Sequence, residues 1–367
     1  MPLRSEPVLA HDTPARVGVL LVNLGTPDAP TTTAVRRYLA EFLWDRRVVE
    51  IPRPIWWAIL HGIILRTRPA KSAAKYACIW QPEGSPLRLH TARQTDALRD
   101  NLSRAIRTPL SVAYAMRYGN PSIAATLDEF KRANVTRLLV VPLYPQYASS
   151  STGSVIEAVM HYYADSRNIP ELRFVRGFAT HLAYVDALAD QLRERWQAGG
   201  RPDKLVMSFH GVPKFSLGRG DPYHCECHAT ARLLAERLGL APDAWQLSFQ
   251  SRFGRTEWLK PYTSEVLADL GRSGPNRVEV ITPGFVGDCL ETLEEIAIEG
   301  RDLFIGAGGK NFYVHPCLNE RPAWLRALTT IASEHLHSWA SDEWDDVTNQ
   351  GILDTRKARA VALGAKQ

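Results

Sequence analysis

Leu205–Pro213, with the sequence LVMSFHGVP, is the most informative stretch of this 367-residue chain. An apolar run bounded by glycine and proline is typical of a parallel strand that is buried on both faces. The run ends at His210, and in open α/β sheets ligands bind beyond the carboxyl ends of the strands. The alternative is a histidine that is hydrogen-bonded inside the protein. Because other chemical groups converge on the same edge, we predict that His210 belongs to a functional site.

Strand-like and helix-like segments alternate along the chain, which indicates an α/β fold with parallel sheets covered by helices. The two halves resemble each other, since each contains buried strands that lead into turns rich in glycine and proline. This similarity predicts two lobes that face each other across a cleft. The predicted strands are Val17–Leu24, Leu110–Met116, Arg137–Leu143, Leu172–Arg176, Leu205–Phe209, Trp245–Phe249 and Val278–Pro283; the predicted helices are Thr33–Leu43, Ala92–Ile106, Ser122–Ala133, Tyr184–Gln197, Ala229–Leu238 and Pro322–His335.

Composition and charge exclude several classes of protein. The formal net charge of +5 is too small to indicate a nucleic-acid partner, although it suits an acidic ligand or an anionic membrane surface. Five cysteines do not resemble a secreted disulfide framework, and the N-terminus lacks the apolar core of a signal peptide. No apolar run reaches the length of a membrane-spanning helix. We therefore expect a cytoplasmic protein without disulfides.

A second candidate segment, Gly287–Ile296, follows the last predicted strand and is rich in acidic residues. If it is helical, Glu291 shares a face with Glu294 and Glu295. Asp288 and Glu291 also have the spacing of a capping box, so a purely structural role is the alternative. The functional interpretation is an acidic path that leads a cation or protons toward the cleft.

Three further features have both a functional and a structural interpretation. Arg117 follows a predicted strand and either binds a ligand or holds a structural carboxylate, and Trp258 either stacks on a flat ligand or packs in the core. The tyrosine-rich turn Leu143–Gly153 either lines a pocket or completes its own backbone. Tryptophans, aliphatic residues and arginines within residues 42–65 suit a membrane interface, with an ordinary core helix as the alternative.

The segment His224–His228, with the sequence HCECH, resembles a metal site at first sight. Its two cysteines are two residues apart, whereas zinc sites usually place two to four residues between cysteines. On a helix, residues two apart diverge. The favoured interpretation is that these are ordinary surface residues. The less favoured one is that they bind a metal or a cluster, with Cys317 as a distant partner of Cys225 and Cys227.

Seven motifs occur together and in order, and through them the chain resembles the ferrochelatase family, in its proteobacterial form, over roughly residues 16–335. They are Leu21–Pro27, Gly84–Pro86, Leu143–Tyr147, Ser208–Pro213, Gly220–Tyr223, Phe249–Gly254 and Asp288–Glu295. The resemblance implies two Rossmann-like lobes, each a parallel four-stranded sheet flanked by helices, with a porphyrin cleft between them. It also implies insertion of Fe²⁺ into protoporphyrin IX, the last step of haem synthesis.

The resemblance implies roles for individual residues. His210 and Glu291 would be catalytic and would contact the metal together with Glu295. Substrate contacts are predicted for Tyr144, Arg117, Trp258 and Leu24, and residues 42–65 would form a lip that touches a membrane. Imidazole is a suitable proton acceptor near neutral pH, and carboxylates suit a hydrated divalent ion.

The cysteine pattern departs from that of animal members, which carry a [2Fe–2S] cluster. Ser149 stands where their first cluster cysteine would be, and no cysteine follows Cys317. We therefore expect no such cluster, with Cys225, Cys227 and Cys317 left undecided. The alternatives to ferrochelatase activity are another tetrapyrrole chelatase, acting on coproporphyrin or with cobalt, and a non-catalytic porphyrin carrier.

The predicted domain organisation has four parts. Residues 16–160 form the first lobe with the lip, and residues 161–320 form the second lobe with the histidine and the acidic segment. Residues 321–340 form a helix that packs on the first lobe. Residues 341–367 lack clear periodicity and are expected to be a loosely ordered extension.

Overall fold

Two separate parallel sheets of four strands each form the framework of the protein. The computed structural model describes residues 3–254, 256–340, 342 and 344–365. The first sheet has the strand order β2-β1-β3-β4 and the second the order β6-β5-β7-β8, so the two follow the same topology. The strands are β1 (Arg16–Thr26), β2 (Leu110–Gly119), β3 (Val135–Pro142), β4 (Glu171–Phe174), β5 (Lys204–His210), β6 (Trp245–Gln250), β7 (Arg277–Ile281) and β8 (Asn311–Val314). The predicted α/β fold with two similar lobes is confirmed.

Fourteen α-helices, counted over the described residues, cover the two sheets. They are α1 (Thr32–Trp44), α2 (Arg53–Ile59), α3 (Leu65–Ile79), α4 (Pro86–Ala105), α5 (Ile123–Arg132), α6 (Ser154–Ala164), α7 (Leu182–Gly199), α8 (Phe215–Gly218), α9 (Tyr223–Leu238), α10 (Thr263–Ser273), α11 (Leu290–Leu293), α12 (Arg301–Gly306), α13 (Pro322–Leu336) and α14 (Asp346–Ala362). Segments of the wider π-helix occur at Leu60–Ile64, Ser149–Gly153 and Glu295–Gly300.

The central strands are buried on both faces because helices cover both sides of each sheet. In β5, every residue from Leu205 to Phe209 is buried, and burial ends at His210, the last residue of the strand. The apolar run quoted at the outset therefore forms the predicted strand and brings His210 to its carboxyl end. A buried strand of this kind positions its terminal side chain rigidly.

The predicted boundary between the lobes at residues 160 and 161 is wrong. That boundary assigns β4 to the second lobe, but β4 pairs with β3 in the first sheet. The strand β8 was not predicted, since it is an edge strand of only four residues, too short for its pattern to be distinguished. Helix α13 packs on α4 and β3 of the first lobe and also on α7, and its Trp324 is fully buried.

The C-terminal extension, predicted to be loosely ordered, contains the helix α14. Asp345 caps the amino end of this helix by accepting hydrogen bonds from the backbone. None of the residues of α14 is buried, but Arg356 donates to the backbone oxygens of His11 and Thr13. That the extension is loosely held stays a prediction.

Candidate active site

A cavity of about 410 Å³ opens where the carboxyl ends of β3 and β5 face each other, a volume in the range of small-molecule sites. Residues from both sheets line it, and five of the predicted site residues are among them. These are Leu24, Tyr144, His210, Trp258 and Glu291. The topology thus brings together side chains that lie up to 267 residues apart in the sequence (291 − 24).

A hydrogen bond to the neighbouring backbone fixes the tautomer of the His210 ring. Its Nδ1 lies 2.6 Å from the carbonyl oxygen of Gly211, and because a carbonyl oxygen only accepts, Nδ1 carries the hydrogen. Nε2 makes no hydrogen bond to any described residue, which leaves its lone pair free to accept a proton in the neutral ring. The His210 ring lies 6.3 Å from that of Trp258 and 6.4 Å from that of Phe285, measured between centroids.

Glu291 lies on α11, a single turn of helix whose cap differs from the prediction. Cys289 and Thr292 form the capping box, not Asp288 and Glu291. Asp288 is buried and accepts hydrogen bonds from Thr292 Oγ1 and the backbone nitrogen of Cys317, at 3.0 Å each. The carboxylate of Glu291 is therefore not used for capping and lines the cavity.

Gln250 fixes the acidic segment to β6, and sequence reasoning missed it. Its side chain is 3% exposed, and its Nε2 donates to the backbone oxygen of Glu291 at 2.8 Å and to Glu295 Oε2 at 3.4 Å. Ser208 Oγ donates to Gln250 Oε1 at 2.7 Å, which sets the orientation of the amide. The only sequence signal was the position of Gln250 at the end of a strand beside the histidine strand.

Glu295 lies behind Glu291 and does not line the cavity. It accepts hydrogen bonds from Ser251 at the backbone nitrogen (2.6 Å) and at Oγ (2.5 Å). Burial raises the pKa of Glu295 above its usual value, against the lowering effects of the Ser251 hydrogen bonds and the charge of His210, and Glu291 raises it further. The charges of His210 and Glu291 therefore both act on Glu295. That His210, Glu291 and Glu295 bind a metal together stays a prediction.

The acidic segment Gly287–Ile296 does not form one regular α-helix. The chain changes to a π-helix at Glu295–Gly300, and such widened turns are frequent at functional sites. Glu294 turns away to form an ion pair with Lys75 Nζ at 2.9 Å. Across the described parts of the chain, no three His, Cys, Asp or Glu side chains come together as a group that holds a metal ion.

Two aromatic residues of the cavity wall contain buried polar atoms without partners. The hydroxyl of Tyr144 and Nε1 of Trp258 are buried, and neither has a hydrogen-bond partner among the described residues. Burial raises the pKa of Tyr144 well above its usual value, so the phenol is neutral. Buried polar atoms usually find partners, so these two are exceptions among the residues of the cavity wall.

Arg117 does not reach the cavity, contrary to its predicted substrate contact. Its Nη2 lies 2.6 Å from Asp45 Oδ2, and its Nε donates to Ser154 Oγ at 2.7 Å. The hydroxyl of Tyr118 donates to the same carboxylate at 2.8 Å. Arg117 thus holds a structural carboxylate, which is the other interpretation that its sequence position allowed.

Arg68 is a basic residue at the cavity that was not singled out from the sequence. It lines the cavity, and its guanidinium lies 4.0 Å from the ring centroid of Phe253. Burial lowers its pKa, and it forms no ion pair with any described residue. A cation without an acidic partner at the edge of an apolar cavity suits a ligand that carries carboxylates.

All five cysteines are free thiols. Cys225 is exposed, whereas Cys227 and Cys317 are buried. Burial raises the pKa of both buried thiols well above the usual value, so they are neutral. Cys289 also lies at the cavity, where burial and the charge of Glu291 raise its pKa.

The fold of the chain is the chelatase fold. A solved structure, SirB from Bacillus subtilis with Fe³⁺, superposes with a TM-score of 0.53 over 88% of this chain and 97% of that one. At 13% sequence identity this likeness shows the fold alone. The chelatase fold consists of two parallel four-stranded sheets flanked by helices, as this chain has.

The chain belongs to the ferrochelatase family. The family model described as Ferrochelatase matches residues 16–336. The protein named Ferrochelatase from Aromatoleum aromaticum is 60% identical, over 99% of this chain and 98% of its own length. That from Chromobacterium violaceum is 55% identical, over 95% and 96% respectively. The protein is therefore an enzymatic metal chelatase of haem synthesis.

Proposed function

We propose that this enzyme inserts Fe²⁺ into protoporphyrin IX, giving protohaem and two protons. The observation that carries the proposal is that His210 and Glu291 line one cavity whose remaining walls are mainly apolar and aromatic. Such walls suit a flat macrocycle, and the unpaired Arg68 suits its carboxylate side chains. A porphyrin with two propionates therefore fits the chemistry of the cavity.

His210 is proposed to take the protons of the pyrrole nitrogens. Because Nδ1 holds its hydrogen against Gly211, Nε2 is the basic atom. An imidazole accepts a proton near neutral pH, and the N–H···O bond then stabilises the cation that forms. A general base in this position accounts for a rate enhancement of about 10²–10⁴-fold.

Glu291 and Glu295 are proposed to receive the iron, which is a substrate of the reaction. Carboxylates and imidazole both bind divalent iron, and carboxylates tolerate a partly hydrated ion. Glu291 and His210 line the cavity, and Glu295 lies one turn behind Glu291. In the proposal, Glu295 and Glu291 therefore bind the ion in succession on its way to the macrocycle beside His210. Binding that favours a puckered macrocycle would expose the nitrogen lone pairs to this side.

The proposal is tested by anaerobic incubation of the purified protein with Fe²⁺ and protoporphyrin IX while the absorption spectrum is followed. Conversion to the haem spectrum at a catalytic enzyme concentration is expected. A faster reaction with coproporphyrin, or with Co²⁺ in place of Fe²⁺, would favour another tetrapyrrole chelatase. Bound porphyrin that stays metal-free would indicate a carrier. The spectrum of the protein before substrate is added tests the further proposal that it carries no [2Fe–2S] cluster.

Gln250 is expected to act as a positioning residue. Gln250→Leu removes the hydrogen bonds to Glu291 and Glu295 and should lower kcat by about 10–100-fold, as loss of a supporting contact does at metal sites. The KM for porphyrin should change little, because Gln250 does not line the cavity. Steady-state kinetics of this variant and of the control Gln246→Leu, on the same strand, check the prediction. A raised KM with unchanged kcat would contradict it.

Residues 42–65 are proposed to rest on an anionic membrane surface. Ile55, Trp57 and Ile63 are each 57% exposed, and Trp44, 40% exposed, lies under the guanidinium of Arg53 at 4.5 Å. Exposed apolar side chains next to arginines are typical of interfacial segments. Over the described residues, no helix is long and apolar enough to cross a bilayer.

Trp57→Glu is expected to weaken binding to vesicles that contain anionic lipid by about tenfold or more, since burying a large apolar side chain contributes about 1.5–3 kcal/mol. Vesicle flotation at low and at physiological salt measures the effect. Ile352→Glu serves as the control, because Ile352 is as exposed (60%) but lies on α14. Equal losses in the two variants, or no vesicle binding by the unmodified protein, would contradict the proposal.

A further inference from the structure

His224 and His228 lie one turn apart on the same face of α9, at its amino end. Their ring centroids are 4.4 Å apart, with an angle of 46° between the ring planes. Neither histidine lines the cavity, so the pair is separate from the site that contains His210. The proposed reaction does not use this pair.

The ring nitrogens of the pair are available to a ligand. None of them hydrogen-bonds to another described residue. The ring of His224 stacks on that of Phe249 at 5.9 Å and 21°, so packing holds it in place without using its nitrogens. Partial desolvation of the ring, although the residue as a whole is exposed, and the neighbouring His224 lower the pKa of His228, so its imidazole is neutral near neutral pH. A neutral imidazole is the form that binds metal ions.

The separation of the rings fits a shared metal ion. With a metal–nitrogen bond of about 2.0–2.1 Å, each ring centroid lies about 3.2 Å from the metal. Nitrogen–metal–nitrogen angles of about 90–110° then place the two centroids about 4.5–5.2 Å apart. The observed 4.4 Å lies just below this range, so a small rotation of the exposed His228 side chain suffices. Histidines four residues apart on a helix are an established arrangement for binding one metal ion.

We propose that His224 and His228 form an accessory binding site for a divalent transition-metal cation, outside the catalytic cavity. Imidazole ligands favour Ni²⁺, Cu²⁺ and Zn²⁺ over Fe²⁺, so the site is selective for cations other than the iron substrate. Water completes the coordination, since the described residues supply no third His, Cys, Asp or Glu ligand. Cys225 is adjacent in sequence but points to a different side of the helix.

Calorimetric titration with Ni²⁺ tests the site, and His210→Ala serves as the background because it removes the imidazole ligand of the cavity. One equivalent of Ni²⁺ is expected to bind in this background. Adding His224→Gln or His228→Gln should weaken that binding by at least about tenfold, because a single remaining ligand loses the chelate advantage. Adding Cys225→Ser, the matched control on the same turn, should leave it unchanged.

Binding that survives both histidine substitutions would overturn the proposal, as would the absence of Ni²⁺ binding in the His210→Ala background. Loss of binding in Cys225→Ser would assign the metal to the thiol instead. Because His228 is exposed, its variant is expected to fold, and circular dichroism checks this. The outcome is independent of the proposed iron insertion, which is measured separately with porphyrin.

Discussion

His210→Ala abolishes metallation while porphyrin binding, followed as a shift of the Soret band, largely survives: this is the largest effect on activity that we expect. The side chain supplies the basic Nε2 atom, whereas the apolar and aromatic walls of the cavity remain. Loss of a general base costs about 10²–10⁴-fold in rate, and loss of a metal ligand adds to this. Initial rates with Fe²⁺ and equilibrium porphyrin titrations, measured on the same preparation, separate the two effects.

His161→Ala is a suitable control, because this histidine is exposed on α6 and lies outside the cavity. It should retain the normal rate. Normal turnover of His210→Ala would remove His210 from the mechanism. Loss of porphyrin binding in His210→Ala with a folded protein would instead show that the ring mainly shapes the pocket.

The largest effect on stability is expected at Glu279, a fully buried carboxylate on β7. It accepts hydrogen bonds from His315 Nε2 at 2.7 Å and Trp196 Nε1 at 2.8 Å, and it also pairs with Arg277. Glu279→Ala leaves these donors without their acceptor, and removing one partner of a buried pair costs about 3–5 kcal/mol. Urea unfolding of both proteins, analysed with the same dependence of the unfolding free energy on urea concentration (m value), measures the loss of stability.

The contribution of Glu279 depends on pH in a defined direction. Burial alone would raise its pKa, but the hydrogen bonds from His315 and Trp196 outweigh burial and hold the pKa below its usual value. The stabilisation by Glu279 is therefore complete near neutral pH. It is lost as the pH falls from the pKa of Glu in the unfolded chain, about 4.3, through the lower pKa of Glu279 in the folded protein. The difference in unfolding free energy between wild type and Glu279→Ala should shrink over that interval.

Asp190→Ala is the matched control for Glu279→Ala. Asp190 lies on α7, the helix that also carries Trp196, and its ion pair with Arg193 is about half exposed. Such a pair contributes less than about 1 kcal/mol, so the control should unfold almost as wild type does. A similar small loss in Glu279→Ala would contradict the importance of the buried network.

Sequence reasoning reached the fold and the centre of the site because both depend on local patterns. The apolar runs of β1, β3 and β5 identify buried parallel strands, and the end of β5 locates His210. Leu24 and Tyr144 were predicted through the family resemblance. Glu291 was reached through a motif that follows β7. The resemblance to ferrochelatases, carried by ordered motifs, is confirmed by the family match over residues 16–336.

Other features depend on which partners the folded chain brings near. Arg117 has the sequence position of a ligand-binding residue, but Asp45, 72 residues away, takes up its charge. Gln250 and Arg68 matter through distant neighbours, Glu295 and Phe253, that no local pattern connects to them. β4 is too short for its pattern to assign it to a sheet, so only its pairing with β3 places the lobe boundary.

The order of residues alone thus specifies two parallel sheets and the strand ends that carry the chemistry, because hydrophobic periodicity and turn residues act over a few positions. The tertiary structure decides which charges are neutralised, such as that of Arg117 by Asp45, and which polar atoms of the cavity residues stay unpaired. Those properties arise from burial and from contacts between segments far apart in sequence, and both exist only once the lobes are packed.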